Sequence, residues 1–180
     1  MSTSAYRVAA ELRTRVPGIG VKKLHKLLYY CQGHHLGTFG RPLFPESISA
    51  WDMGPVVGTL WHAEKERSVE PGPPISDEAI LNTIGYVVSR YGNLTGNDLE
   101  RLTHAEDPWR DADQNRAAGG SVRIPNDEIE RFFRSNADDP EDAGVDAAEL
   151  GAWLRRSSPD HPTLSVDTVE SIRSRGRSHG

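Results

Sequence analysis

The stretch that most limits what this chain can fold into is VKKLHKLLYYCQGHHL, residues 21–36. Val21, Leu24, Leu28 and Cys31 recur at spacings of three, four and three, with Leu27 beside them, which is the period of one helix face. A long helix is therefore expected from Val21 to Gly37 or Gly40, with those five residues in a core. Lys22, His25, Lys26 and Tyr29 fall on the other side, and that polar back is a candidate partner-binding surface. A helix with a single apolar stripe must cover it with further elements.

The remaining pattern supplies them. Ser4 can cap a helix over residues 4–14, broken by VPGIG. Pro42 and Pro45 exclude a regular helix from the connector RPLFPESISAWDMG, where ISAW is a short extended piece. GPVVGTLWHAEKER restarts a helix, with Pro55 suited to its first turn. Ser76 reads as the cap of a helix closed by Gly92, and Asn97 and Glu100 have capping-box spacing. Asn126 opens a last helix that buries Ile129, Phe132 and Phe133. Trp51 and Trp61 are expected in the core. The fold class is mainly α: a compact multi-helix domain over residues 1–135 with a short extended connector.

The charge shifts after that domain. Residues 136–180 hold nine acids and five basic residues, against 17 and 16 before them, so most of the net charge of -5 lies in the last quarter. NADDPEDAG reads as a linker, DAAELGAWLRR as a short amphipathic helix, and the final SIRSRGRSHG as disordered. Leu150, Trp153 and Leu154 line one side of that helix. An isolated helix this short is marginal in water, so the apolar side needs a surface, and a partner is favoured over the chain's own domain.

Several function classes lose their support on residue spacing. His25, His34 and His35 offer spacings of nine, ten and one, whereas a helix chelates best at four. They read as surface or interface residues, not as metal ligands. The single cysteine, Cys31, lies on the apolar stripe and fits a buried thiol in a reducing compartment. There is no nucleophile elbow, and GIGVKK has neither phosphate-loop nor dinucleotide spacing. No catalytic residue, metal or cofactor is expected. Lys22, Lys23 and Lys26 could face phosphates, but the net acidity and the long proline-rich turn argue against a DNA-reading helix. No apolar run is long enough for a membrane span or a leader, and a cytoplasmic protein is expected.

Four blocks, taken together, resemble a known family. They are the K-L-x-K-L-L-Y-Y helix, the I-x-A-W-x-x-G-P-V connector, LTHAEDPWRDA and IPNDEIERFF. In this order and spacing, over roughly residues 5–135, the chain resembles the Panacea antitoxin domain, a family that includes SocA-type proteolytic adaptors and phage-associated GepA-like proteins. His25 stands where the family often has a polar amide, and Cys31 where it has a small apolar residue. The resemblance implies an antitoxin that neutralises a cognate protein toxin by direct binding. Family members are paired with toxins of very different folds. An adaptor that delivers a toxin to a protease, or less readily a DNA-binding autorepressor, are the alternatives.

Overall fold

A computed structural model of the chain describes residues 3–137. These form seven helices and one small sheet, in the order α1 (Ala5–Arg15), α2 (Val21–Phe39), β1 (Ile48–Trp51), β2 (Gly54–Val56), α3 (Gly58–Lys65), α4 (Glu78–Tyr91), α5 (Gly96–His104), α6 (Asp107–Asp113), β3 (Val122–Ile124) and α7 (Asn126–Ala137). The architecture is broadly helical, as expected. The predicted helix carrying Leu150, Trp153 and Leu154 lies outside the described residues.

Helix ends follow local chemistry. The Ser4 hydroxyl accepts from the Arg7 amide and starts α1. α2 ends at Gly40, whose φ of 65° is the left-handed conformation that lets the next residue turn away. α4 is capped by Asp77, one residue later than expected, because its carboxylate reaches the amides of Ala79 and Ile80. The capping box of α5 is Thr95 with Asp98, not Asn97 with Glu100: Thr95 is the residue left outside the helix, so only its hydroxyl can turn back onto the first turn.

The sheet has the order β2-β1-β3, both pairings antiparallel. β1 and β2 form a tight hairpin, with Trp51 opposite Gly54 and Ala50 opposite Pro55. Pro55 is therefore a strand residue and not a helix start. An edge strand tolerates proline because its outer side needs no ladder hydrogen bond. β3 comes from much later in the chain and closes the other side of β1, with Ile48 opposite Ile124.

α2 is the axle of the molecule. It packs against α1, α4, α5, α7 and β2. Helix α7 approaches it most closely at Gly33 and Gly37, where the Phe133 ring occupies the space a side chain on Gly33 would need. A Cβ on Gly37 would lie 3.0 Å from the Phe133 Cβ and 3.1 Å from the Arg134 amide nitrogen. The core is built from Leu24, Leu27, Leu28 and Cys31 of α2 with Val8 and Leu12 of α1, Ile84 and Val87 of α4, Leu99 of α5 and Ile129 and Phe133 of α7. Val21, expected in that core, is 52% exposed, because the first residue of α2 projects past the elements that cover the rest.

Candidate functional site: a polar bridge under an aromatic hairpin

An axle has no solvated back. His25, Lys26 and Tyr29, expected at the surface, are all buried, and so are Tyr30, Gln32 and His35. This corrects the reading of an exposed polar face, since other helices and strands cover the side of α2 that carries these residues. Of the four partner-surface candidates on α2, Lys22 alone keeps surface exposure, with its side chain 31% exposed.

Burial demands partners for polar groups, and those partners tie α2 to the rest of the fold. Lys22 Nζ donates to Asn97 Oδ1 at 3.0 Å and to Glu100 Oε2 at 2.5 Å on α5. Lys23 Nζ donates to the Gly92 carbonyl at 2.5 Å, at the end of α4. Gln32 accepts from the amides of Leu43 and Phe44 and donates to the Phe44 carbonyl, satisfying three backbone groups in the connector. Tyr30 stacks on Tyr91, with ring centroids 4.0 Å apart, and donates to Glu106 Oε1 at 3.1 Å. Burial, reinforced by the Glu106 charge, pushes the hydroxyls of Tyr29 and Tyr30 up.

The same bridge holds the β1–β2 hairpin from below. Lys26 Nζ donates to the Pro55 carbonyl at 3.0 Å. The Val57 amide donates to His25 Nδ1 at 3.2 Å, and Trp109 Nε1 donates to the Trp51 carbonyl at 3.0 Å. His104 stacks on Trp109 with ring centroids 3.9 Å apart. Gly54 is required at the hinge of this arrangement. Its φ is 105°, and a Cβ there would lie 2.5 Å from Lys26 Cε and 3.0 Å from Thr103 Oγ1.

Desolvation sets the protonation of these groups. Burial pulls Lys26 down to about 7, opposed in part by the Glu100 charge. Burial, with help from the neighbouring Lys26 charge, pulls His25 down to about 3. This fits the Nδ1 lone pair accepting from Val57. His34 falls to about 3 and His35 to about 4, again mainly by desolvation. His34 Nε2 lies 2.9 Å from the Tyr91 hydroxyl and His35 Nδ1 lies 3.0 Å from Thr83 Oγ1. Both are packing residues between α2 and α4, which replaces their reading as surface histidines. Cys31 is fully buried and its thiol is pushed up by desolvation. Among the described residues, no group of three or more His, Cys, Asp or Glu side chains is placed to hold a metal ion. No helix of the described residues is long and apolar enough to cross a membrane.

Above the bridge, the hairpin meets α3 in a cluster of large side chains. Trp51 on β1 and Trp61 on α3 are half-buried, not core, because they pack on each other where the hairpin meets α3 and not against α2. Their rings meet edge to face with centroids 5.3 Å apart. Lys65 Nζ sits 5.1 Å over the Trp61 ring, and Met53 at the hairpin tip is 54% exposed. Asp52 at the tip is fixed by Arg116, which also lowers its carboxyl pKa. Sequence reasoning missed Gln32, Thr103, His104 and Glu106 as parts of the bridge. The sequence does place Thr103, His104, Glu106 and Trp109 together in one segment, THAEDPW, although nothing local says that they meet α2.

The assembly is a helical scaffold whose polar interior positions a sheet corner. The family model described as Antitoxin SocA-like, Panacea domain, matches residues 24–110. Over that segment the chain is similar to the SocA-like Panacea domain, in accord with the resemblance read from its sequence. The match is shorter than residues 5–135: it takes in the axle, the hairpin and the THAEDPW segment, and leaves out α1, β3 and α7. No curated protein and no solved structure matches the chain.

Proposed function

We propose that this protein is a cytoplasmic, non-enzymatic antitoxin that binds a cognate protein toxin and neutralises it stoichiometrically. The observation that carries the reading is the Panacea match over α2–α6. The surface we assign to the toxin is the outward side of the hairpin and α3: Trp51, Met53 and Trp61, with Lys65 at its edge. These residues lie within the matched segment. Half-exposed aromatic side chains on a rigid support are the kind of anchor that dominates binding energy at protein interfaces. Lys22, at the surface of α2, is a second candidate contact.

Co-expression with the product of the neighbouring reading frame tests this. Rescue of growth and co-purification are expected. Met53→Asp and Trp61→Ala are expected to weaken both while leaving the melting temperature within a few degrees of the parent. Rescue that persists in both variants would remove the hairpin from the interface. Failure to bind or rescue at all would remove the antitoxin reading. The alternative, delivery of the toxin to a protease, predicts rescue that disappears when that host protease is deleted.

A further inference from the structure

We infer that the acidic segment after α7, residues 138–154, docks on the chain's own domain, across a face formed by α2, α4 and α7. The inference does not depend on what any toxin is. It rests on a surface, on the place where the chain leaves it, and on charge.

The surface is aromatic and basic. Phe39 at the end of α2 is 44% exposed and Tyr86 on α4 is 47% exposed, two of the four large exposed apolar side chains among the described residues. Two separate sets of contacts join them to the interior. Phe39 packs on His35, which meets Thr83 of α4, and Tyr86 packs on His34, which packs in turn on Phe133 of α7. Arginines surround these rings. Arg41 lies 5.7 Å over Phe39, Arg90 lies one turn beyond Tyr86 and caps the Tyr91 ring, and Arg131 and Arg134 project from α7. Glu130 pairs with Arg134 at 2.6 Å, Asp127 lies beside Arg131, and Asp77 lies near His35, so the arginines outnumber the acids here only modestly.

The chain leaves the described domain at this face. Arg134 Nη2 lies 3.3 Å from where a Cβ on Gly40 would stand, and Gly40 separates Phe39 from Arg41. Ala137 follows less than one helical turn later, about 5 Å further along α7. Between Asp138 and Leu154 the chain has six acids and no lysine or arginine, and it ends in Leu150, Trp153 and Leu154. The sequence pattern alone favours a partner for that apolar trio. The structure offers a nearer site of matching character. Thirteen residues, the separation from 137 to 150, reach roughly 20 Å by random-coil statistics, a span that covers Phe39, Arg41 and Tyr86. Such a short tether raises the local concentration of the trio to about the millimolar range. The carboxylates complement the arginines, and Trp153 and the leucines complement the exposed rings.

Hydrogen–deuterium exchange on the full chain tests the docking. At about 0.1 M salt, amides of residues 150–154 are expected to exchange at least tenfold more slowly than in a free peptide of the same sequence. The protection should shrink at about 0.5 M salt, where charge attraction is screened. Trp153→Ala should abolish the protection while α2 and α4 amides stay protected. Arg41→Glu with Arg134→Glu should do the same, with α2 and α4 amides still protected. Coil-like exchange at 150–154 in the parent chain would overturn the inference. So would protection that appears only with a bound toxin, that rises with protein concentration and so reports a second copy, or that survives both the arginine reversals and Tyr86→Ala.

Discussion

Acid should unfold this domain sooner than its carboxylates alone would. Three histidines are built into the packing of α2 as neutral rings, with folded values of about 3 for His25 and His34 and about 4 for His35. Free histidine titrates near 6.5. A depressed folded value means that the unfolded chain binds the proton first, so stability is complete above about pH 6.5 and is lost as the pH falls toward 3–4. At pH 5 each unfolded histidine is almost fully protonated and each native one is almost fully neutral. The cost is about 2 kcal/mol per ring, or about 6 kcal/mol for the three. That is comparable with the whole stability of an ordinary domain, ~5–15 kcal/mol. Between pH 6 and 5 the slope should approach three protons, ~4 kcal/mol per pH unit. Urea midpoints measured at fixed ionic strength from pH 7.5 to 5 give this slope directly. His34→Gln, which keeps a hydrogen-bonding group opposite Tyr91, should remove about one proton from it. A flat midpoint across that range would refute the reasoning. So would an unchanged slope in the variant, or imidazole NMR signals showing these rings protonated in folded protein at pH 6.

Lys26 predicts a trend of the same sign at higher pH. Its folded value of about 7 lies below the ordinary 10.5, so native stability should rise from pH 7 toward 10 as the unfolded amine loses its proton. Relative to Lys26→Met, the gain from pH 7 to 9.5 should be about 3 kcal/mol, and parallel stability curves would contradict it. Gln32→Leu leaves the Leu43 and Phe44 backbone groups buried without partners and should cost about 3 kcal/mol or more. An unchanged denaturant midpoint would show that water takes over the role. Gly33→Ala drives a methyl into the Phe133 ring and should cost about 1–3 kcal/mol. Adding Phe133→Leu should recover part of this, and a lack of recovery would show that α7 is not the element displaced.

What the sequence made legible was whatever local periodicity and capping encode. The extent of α2, the Ser4 cap, the extended ISAW piece and the Ile129 and Phe133 face of α7 all follow from residues within a few positions of one another. The errors arise where distant segments decide. His25, Lys26 and Tyr29 read as a polar back because a helical wheel shows character, not surroundings. α1, α4, α5, α7 and β2 together cover the side of that wheel on which these three lie. Pro55 looked like a helix start because a proline after glycine fits a first turn as well as an edge strand, and only pairing with Ala50 distinguishes the two. β3 was missed because three residues carry no pattern, and its strand character comes from β1. Trp51 and Trp61 read as core because tryptophans usually are, yet each is only half-buried, and they pack edge to face on each other where β1 meets α3.

The hairpin is held through its main chain: the carbonyls of Trp51 and Pro55 and the amide of Val57 are gripped by Trp109, Lys26 and His25 from below. None of these grips depends on which side chains point outward at residues 51, 53 or 61. The corner is thus a mount with an interchangeable face. Its position is specified by atoms every residue possesses, while its contact chemistry is specified by atoms that any single substitution can replace. A lineage could rewrite the face to meet partners of unrelated shape without loosening the mount. The groups beneath it, Gly54 above all, would stay fixed while the face drifted.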